Sequence, residues 1–274
     1  MPIIGLGSAG PEGMTIAAKK ALAKARIVLG YKLYLEEAKP YARKDARLEP
    51  SPMTAEVARA EKALELAGQG LSVAMVSGGD PGVYAMAGAI FEVAASRGLP
   101  LGDGPGQYEI KVITGTPAVT AAAALLGAPL THDFCAISLS DRLTGWETIE
   151  KRLELASKAG FVISVYNPKS HGRDWQLSRA TEILLQNLLP DTPVGLARRC
   201  GRPGESIALT TLENLPRSTV DMQTLVIVGN KDTFVYEGRM ITPRGYLDKY
   251  GPEKPRPAEM PGPGKARPKQ ASQK

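Results

Sequence analysis

Residues 71–76, Leu-Ser-Val-Ala-Met-Val, form an apolar run that leads directly into Ser77-Gly78-Gly79-Asp80-Pro81-Gly82, and a helical pattern follows over 82–96. A strand, a tight glycine turn carrying one carboxylate and then a helix is a binding-loop arrangement. The glycines let the backbone approach a ligand or take φ > 0. Pro81 costs nothing near a helix start, where its missing N–H would be unpaired anyway. Asp80 falls at the expected N-cap, so it reads either as a helix cap or as a carboxylate presented to a ligand.

The same alternation runs through the first part of the chain. A strand is expected at 3–7, a helix at 14–25, a strand at 26–30, a helix at 54–67 and a strand at 108–113. Residues between the second strand and the second helix read as a looser segment with turn signals at Pro40, Pro50 and Pro52. This βαβ pattern predicts a mostly parallel sheet covered on both faces by helices. Residues 114–120 then look like a hinge into a second unit. That unit has a small-residue helix at 121–126 ending at Gly127, a strand at 134–139, a helix at 146–159, a strand at 161–166 and a helix at 175–189. Three further strands, 194–197, 206–210 and 224–228, are separated by turns, which predicts a mixed sheet. The expectation is therefore two α/β domains, 1–114 and 115–246, followed by a disordered Pro/Lys-rich tail at 247–274.

Composition narrows the function. Of the 274 residues 43% are apolar, enough for real cores, and no stretch approaches a transmembrane span. The start, Met1-Pro2-Ile3-Ile4-Gly5, has no signal-peptide pattern, and the two cysteines, Cys135 and Cys200, form no metal or disulfide framework. A cytoplasmic protein is expected, with both cysteines buried as small hydrophobes. His132 and His171 are the only histidines, so no His-rich metal site is expected, and His132 beside Asp133 reads as a structural pair. The net charge is +6, but residues 251–274 hold six basic and two acidic residues, so +4 of it lies in the tail. With no basic strip interleaved with aromatics, a nucleic-acid-binding module is disfavoured.

Gly5-Leu6-Gly7-Ser8-Ala9-Gly10 fits Gly-x-Gly-x-x-Gly, yet the second strand ends Val28-Leu29-Gly30-Tyr31 without the carboxylate that a dinucleotide ribose requires. A dinucleotide oxidoreductase is disfavoured on that ground. The loops at 5–11, 77–83, 115–121 and Tyr166-Asn167-Pro168 all follow strands. At the carboxyl ends of a sheet they would form one wall that a flat ligand approaches through backbone contacts.

The order of Gly5-Leu6-Gly7, the segment 77–84, Thr114-Gly115-Thr116-Pro117-Ala118-Val119-Thr120-Ala121 and Thr224-Leu225-Val226-Ile227-Val228-Gly229 resembles the tetrapyrrole (corrin/porphyrin) methylase family over about residues 3–246. Segments 140–153, 165–170, 198–205 and 240–246 resemble its C17 branch, which acts on precorrin-3B or cobalt-factor III. The resemblance implies two α/β domains, S-adenosylmethionine in the cleft between them (released as S-adenosylhomocysteine), a tetrapyrrole substrate and a homodimer. It implies C17 methylation coupled to ring contraction in cobalamin biosynthesis. Relatives acting on another tetrapyrrole carbon, on diphthamide or on ribosomal RNA would share the cofactor loops but not the branch segments. Cofactor contacts are implied at Gly78, Asp80, Val83, Thr120, Ala121, Tyr166, Asn167, Ala197 and Thr224. The substrate's carboxylates call for cations, with Arg142, Lys169, Arg173, Arg198, Arg199 and Arg202 as candidates. For the acid or base of ring contraction, Asp80, Asp141, Tyr166 and His171 all stay open. The chain departs from the family's Gly-x-Gly-Pro-Gly-Asp-Pro in its first loop, where Ser8, Ala9 and Gly10 replace Pro, Gly and Asp. Either that turn differs or the glycine role passes to Gly10.

Overall fold

A computed structural model describes residues 1–52, 54–170 and 172–251. The first half runs β1 (Pro2–Gly5), α1 (Ile16–Leu22), β2 (Ile27–Tyr31), α2 (Lys32–Ala38), β3 (Arg47–Ser51), α3 (Glu56–Gly68), β4 (Val73–Ser77), α4 (Met86–Ser96) and β5 (Lys111–Ile113). Its sheet is parallel throughout, in the order β3-β2-β4-β1-β5. Strand alternation divides the core in two. Ile3, Ile27, Leu29, Val73 and Met75 pack under α3 and α4, while Ile4, Val28, Ala74 and Val76 pack under α1 and α2. Because both faces are covered, β4 is buried along its whole length and reads as a continuous apolar run. From β1 the chain turns toward β2, and from β4 it turns toward β5. The two strands are neighbours, so their carboxyl ends open a crevice at the point where the connections diverge.

The second half runs α5 (Ala118–Leu126), β6 (Gly127–Ala128), β7 (Phe134–Ser138), α6 (Trp146–Lys158), β8 (Val162–Tyr166), α7 (Gln176–Leu184), β9 (Pro193–Arg198), β10 (Ser206–Thr211), β11 (Thr224–Val228), β12 (Phe234–Tyr236), β13 (Arg239–Ile241) and α8 (Tyr246–Tyr250). The order β10-β9-β11-β8-β7 is mixed, as the turn-linked closing strands predict. Strands β7 and β8 pair in parallel, and the other pairs are antiparallel. α6 and α7 cover one face, and α5 lies on the other against Ala197, Leu225 and Ile227.

Several elements differ from the sequence reading. The looser segment contains α2 and β3, and Pro50 sits inside β3 opposite Gly30. β3 is an edge strand, where a residue without an N–H is tolerated. Arg59, only 6% exposed, fastens that edge: it donates to the Pro52 carbonyl at 2.8 Å, to Met86 Sδ at 3.2 Å and to Ser51 Oγ. α7 ends at Leu184, not at 189. β6, β12 and β13 form a small separate sheet. The first residues of the predicted tail, through Tyr250, lie in α8, and residues 252–274 lie outside the described residues.

Candidate active site

Three loops meet at the carboxyl ends of β1 and β4. Leu6 N–H donates to Ser77 O at 2.9 Å, Gly7 N–H to Gly79 O at 3.0 Å and Ser8 N–H to Thr116 O at 2.9 Å. Their backbones touch with no side chain between them. A Cβ on Gly5 would fall 2.6 Å from both Gly115 N and Gly79 O. The first loop takes the second of its two expected routes: Gly10 adopts φ +71°, the left-handed region that glycine occupies cheaply. There it packs on the second half of the chain, and a Cβ on Gly10 would lie 2.5 Å from Gly201 O.

Asp80 is not a helix cap. α4 begins at Met86, after Ala85 in extended conformation. The carboxylate instead ties loops together. Its Oδ1 accepts from Gly82 N–H at 2.8 Å, and Oδ2 accepts from Thr114 Oγ1 at 2.6 Å and from Gly115 N–H at 3.1 Å. The turn this makes, together with Tyr84 at φ +50°, delays the helix relative to the expected start at 82.

Tyr166 ends β8 and faces the same crevice. Its hydroxyl accepts from Val119 N–H, at the start of α5, at 3.1 Å. Burial, with smaller contributions from Tyr84 and Asp80, holds the phenol above its usual range, so it stays protonated at neutral pH. Tyr84 packs on it, with ring centroids 5.0 Å apart and planes inclined at 54°. Next in sequence, Asn167 adopts φ +51° and donates through Nδ2 to Ser138 Oγ at 2.9 Å. Glycine-rich backbone, one carboxylate and a tyrosine pair thus surround a crevice built from both halves of the chain.

The family described as Tetrapyrrole (Corrin/Porphyrin) Methylases matches residues 2–216. The chain belongs to this family. A probable cobalt-factor III C(17)-methyltransferase of Salmonella typhimurium is 46% identical over 246 residues, covering 90% of this chain and 99% of that protein. A precorrin-3B C(17)-methyltransferase of Sinorhizobium sp is 42% identical, covering 89% and 96%. The crystal structure of the methyltransferase CobJ superposes with a TM-score of 0.81 at 39% identity, covering 88% of this chain and 98% of that one.

The remaining predicted site residues of this tetrapyrrole methylase are placed as follows. Gly78 lies against the Tyr34 ring, where a Cβ would come within 2.6 Å of the ring carbons. Val83 N–H closes the turn on Asp80 O at 3.2 Å. Thr120 is exposed and bonds Pro117 O, while Ala121 and Ala197 are buried beneath the loops. Thr224 is also buried, and its hydroxyl donates to Asp221 at 2.9 Å.

The cations divide into engaged and open. Arg198 pairs with Asp221 at 2.7 Å. Arg202 makes a two-pronged bond to Glu37 of α2, at 2.7 and 3.1 Å, which joins the two halves of the chain. Arg173 is held by Ser170 Oγ and Leu139 O and lies 3.7 Å from Asp141, which also accepts from Gln176 at 3.3 Å. Arg142 and Lys169 are exposed. Arg199 adopts φ +55°, and its buried Nε has no hydrogen-bond partner. His171 lies outside the described residues. His132 and Asp133 contact each other on the surface: Asp133 N–H donates to Nδ1 at 2.7 Å. Cys200 is buried and Cys135 half-buried, with the Cys135 thiol pushed up to about 11 by burial, so neither is a nucleophile at neutral pH. Among the described residues no group of three or more His, Cys, Asp or Glu could hold a metal, and no helix is long and apolar enough to cross a membrane.

Sequence reasoning missed Thr114, Glu37 and Tyr84 as site-forming residues. Tyr84 directly follows the recognised glycine loop and was within reach. Glu37 was not, because it meets Arg202 across 165 positions. Replacing Arg202 by Ala leaves Glu37 partly buried without its fork, and is expected to cost about 1–2 kcal/mol. The thermal midpoint then falls by roughly 4 °C, and Arg202→Lys recovers only part of it because an ammonium lacks the planar fork. An unchanged melting curve for Arg202→Ala would show that the pair does not hold the two halves together.

Proposed function

We propose that the protein transfers a methyl group from S-adenosylmethionine to C17 of a precorrin-3B-type macrocycle, metal-free or cobalt-bearing, with contraction of the ring. The observation that carries this reading is the set of closely packed glycine loops at the carboxyl ends of β1, β4 and β5, tied together by Asp80 beside the tyrosine pair, in a chain that belongs to the tetrapyrrole methylases. The relatives named above act on precorrin-3B and cobalt-factor III, and their similarity spans nearly their whole length.

The residues present suit the cofactor. Ala118 and Thr120, small and at least partly exposed at the start of α5, offer a surface on which a flat base and a ribose can lie. Asp80 and Asn167 supply polar groups at the rim. When bound, S-adenosylmethionine supplies an electrophilic methyl group. The chain's own task is positioning, because methyl transfer needs in-line approach and little covalent help. The cross-tied loops hold the crevice rigid. Arg142, Lys169 and Arg199 face the macrocycle's carboxylates, while Arg198, Arg173 and Arg202 act through Asp221, Asp141 and Glu37 to shape the loops that carry them. Of the four acid–base candidates, Tyr166 has the chemistry of a donor: its phenol keeps the proton and already accepts from Val119 N–H. Asp141 is balanced by Arg173. The same reading takes 1–114 and 115–246 as the two domains of a cytoplasmic homodimer, with no nucleic-acid partner.

Calorimetry with S-adenosylhomocysteine tests the cofactor, with binding in the micromolar range expected. Incubation with S-adenosylmethionine and either precorrin-3B or cobalt-factor III, followed by mass spectrometry and NMR, tests the chemistry. Gain of one methyl group at C17 is expected. A methyl at another carbon would place the chain elsewhere in the family, and no S-adenosylhomocysteine binding would overturn the reading.

A further inference from the structure

We propose that Tyr84 is a positioning residue for the macrocycle, its ring face forming the fixed platform on which the flat tetrapyrrole rests. This rests on the function proposed above. Three independent features single Tyr84 out. Its backbone sits at φ +50°, a left-handed conformation that bulky side chains rarely adopt and that persists where surrounding structure enforces it. Its hydroxyl leaves the first half of the chain and donates to Ala136 O at 2.9 Å, the carbonyl of edge strand β7 in the second half. Yet the residue remains 55% exposed, so the ring is anchored without being covered.

Anchoring matters because a free tyrosine loses rotamer entropy when it stacks. Here the backbone turn holds one end of the side chain, the bond to Ala136 the other, and Tyr166 supports the ring from the side at 5.0 Å. The ordering cost is met before the ligand arrives, which is the basis of preorganisation. A large flat apolar macrocycle with carboxylates on its rim calls for an aromatic face at the centre and cations at the edge. Arg142 and Lys169 follow β7 and β8, the strands that carry Ala136 and Tyr166, and both are exposed. Tyr84 therefore touches the two strands from which the chain leads on to these two cations.

The test separates the ring face from the hydroxyl. Tyr84→Phe keeps the face and removes the bond to Ala136, and Tyr84→Ala removes both. For Tyr84→Ala, KM for the macrocycle is expected to rise about tenfold or more, as is the Kd read from the macrocycle's absorption change, while the affinity for S-adenosylhomocysteine stays within about twofold. For Tyr84→Phe, KM should stay within about threefold of the parent. Equal losses in the two variants would assign the effect to the Ala136 bond and overturn the platform. So would unchanged macrocycle affinity in Tyr84→Ala, or a parallel loss of S-adenosylhomocysteine binding. Failure of the unmodified protein to bind S-adenosylhomocysteine and macrocycle would instead overturn the functional reading, and the platform with it.

Discussion

Gly115→Ala is expected to lower stability by about 3 kcal/mol, a fall of roughly 6–12 °C in thermal midpoint, and to abolish S-adenosylhomocysteine binding. The cause is steric, not torsional, because Gly115 is not among the residues with positive φ. A Cβ there would land on Gly79 O and lie 2.8 Å from both Gly5 C and Gly7 N. All three are backbone atoms of the strands and loops that form the crevice, so no side chain can swing aside. Relief requires moving the loop after β5 away from the loops after β1 and β4, which breaks the bonds from Ser8 N–H to Thr116 O and from Gly115 N–H to Asp80. The same methyl at Gly88, an exposed position inside α4 with only Glu92 Oε1 nearby at 3.8 Å, should be neutral or slightly stabilising through helix propensity. Scanning calorimetry and ligand titration on the two variants check the contrast. A Gly115→Ala protein that melts and binds like its parent would mean that the loops are not locked as described.

Asp80→Ala should cost about 2–4 kcal/mol and weaken S-adenosylhomocysteine binding by about tenfold or more. Its carboxylate receives three donors from two loops, at 2.6–3.1 Å. Hydrogen bonds to a charged acceptor are stronger than neutral ones, and removing the carboxylate strands the N–H of buried Gly115. Thr114→Val removes one of the three bonds and keeps the carboxylate, so its loss of stability should be clearly smaller. Asp80→Asn separates charge from shape: it retains one acceptor oxygen but turns an amide N–H₂ toward a donor. Thermal melts paired with calorimetry report the outcome. A destabilised Asp80→Ala with full ligand affinity would make Asp80 a structural clasp alone.

What was legible in the sequence was local. β4 announced itself because a strand buried on both faces has no polar alternation, and the glycines after it marked a tight turn, in which Gly79 takes φ +63°. The closing strands β9, β10 and β11 read correctly as turn-linked because nothing of helical length separates them. Errors arose where local signals conflicted with packing. Pro50 argued against a strand, yet an edge leaves its missing N–H without consequence. Asp80 before Pro81 imitated a helix start, yet its carboxylate found stronger donors in another loop.

The sequence by itself determined the α/β class, the parallel first sheet, the mixed second sheet and the glycine turns that follow the strands, because periodicity, glycine and proline act over a few residues. Only the tertiary structure decided which groups meet across the crevice. Tyr84 reaches Ala136 across 52 positions, Arg202 reaches Glu37 across 165, and Gly10 rests on Gly201. No local pattern encodes such partners. They follow from how two separately built sheets dock, and that docking determines which polar groups are spent on structure and which remain free for a ligand.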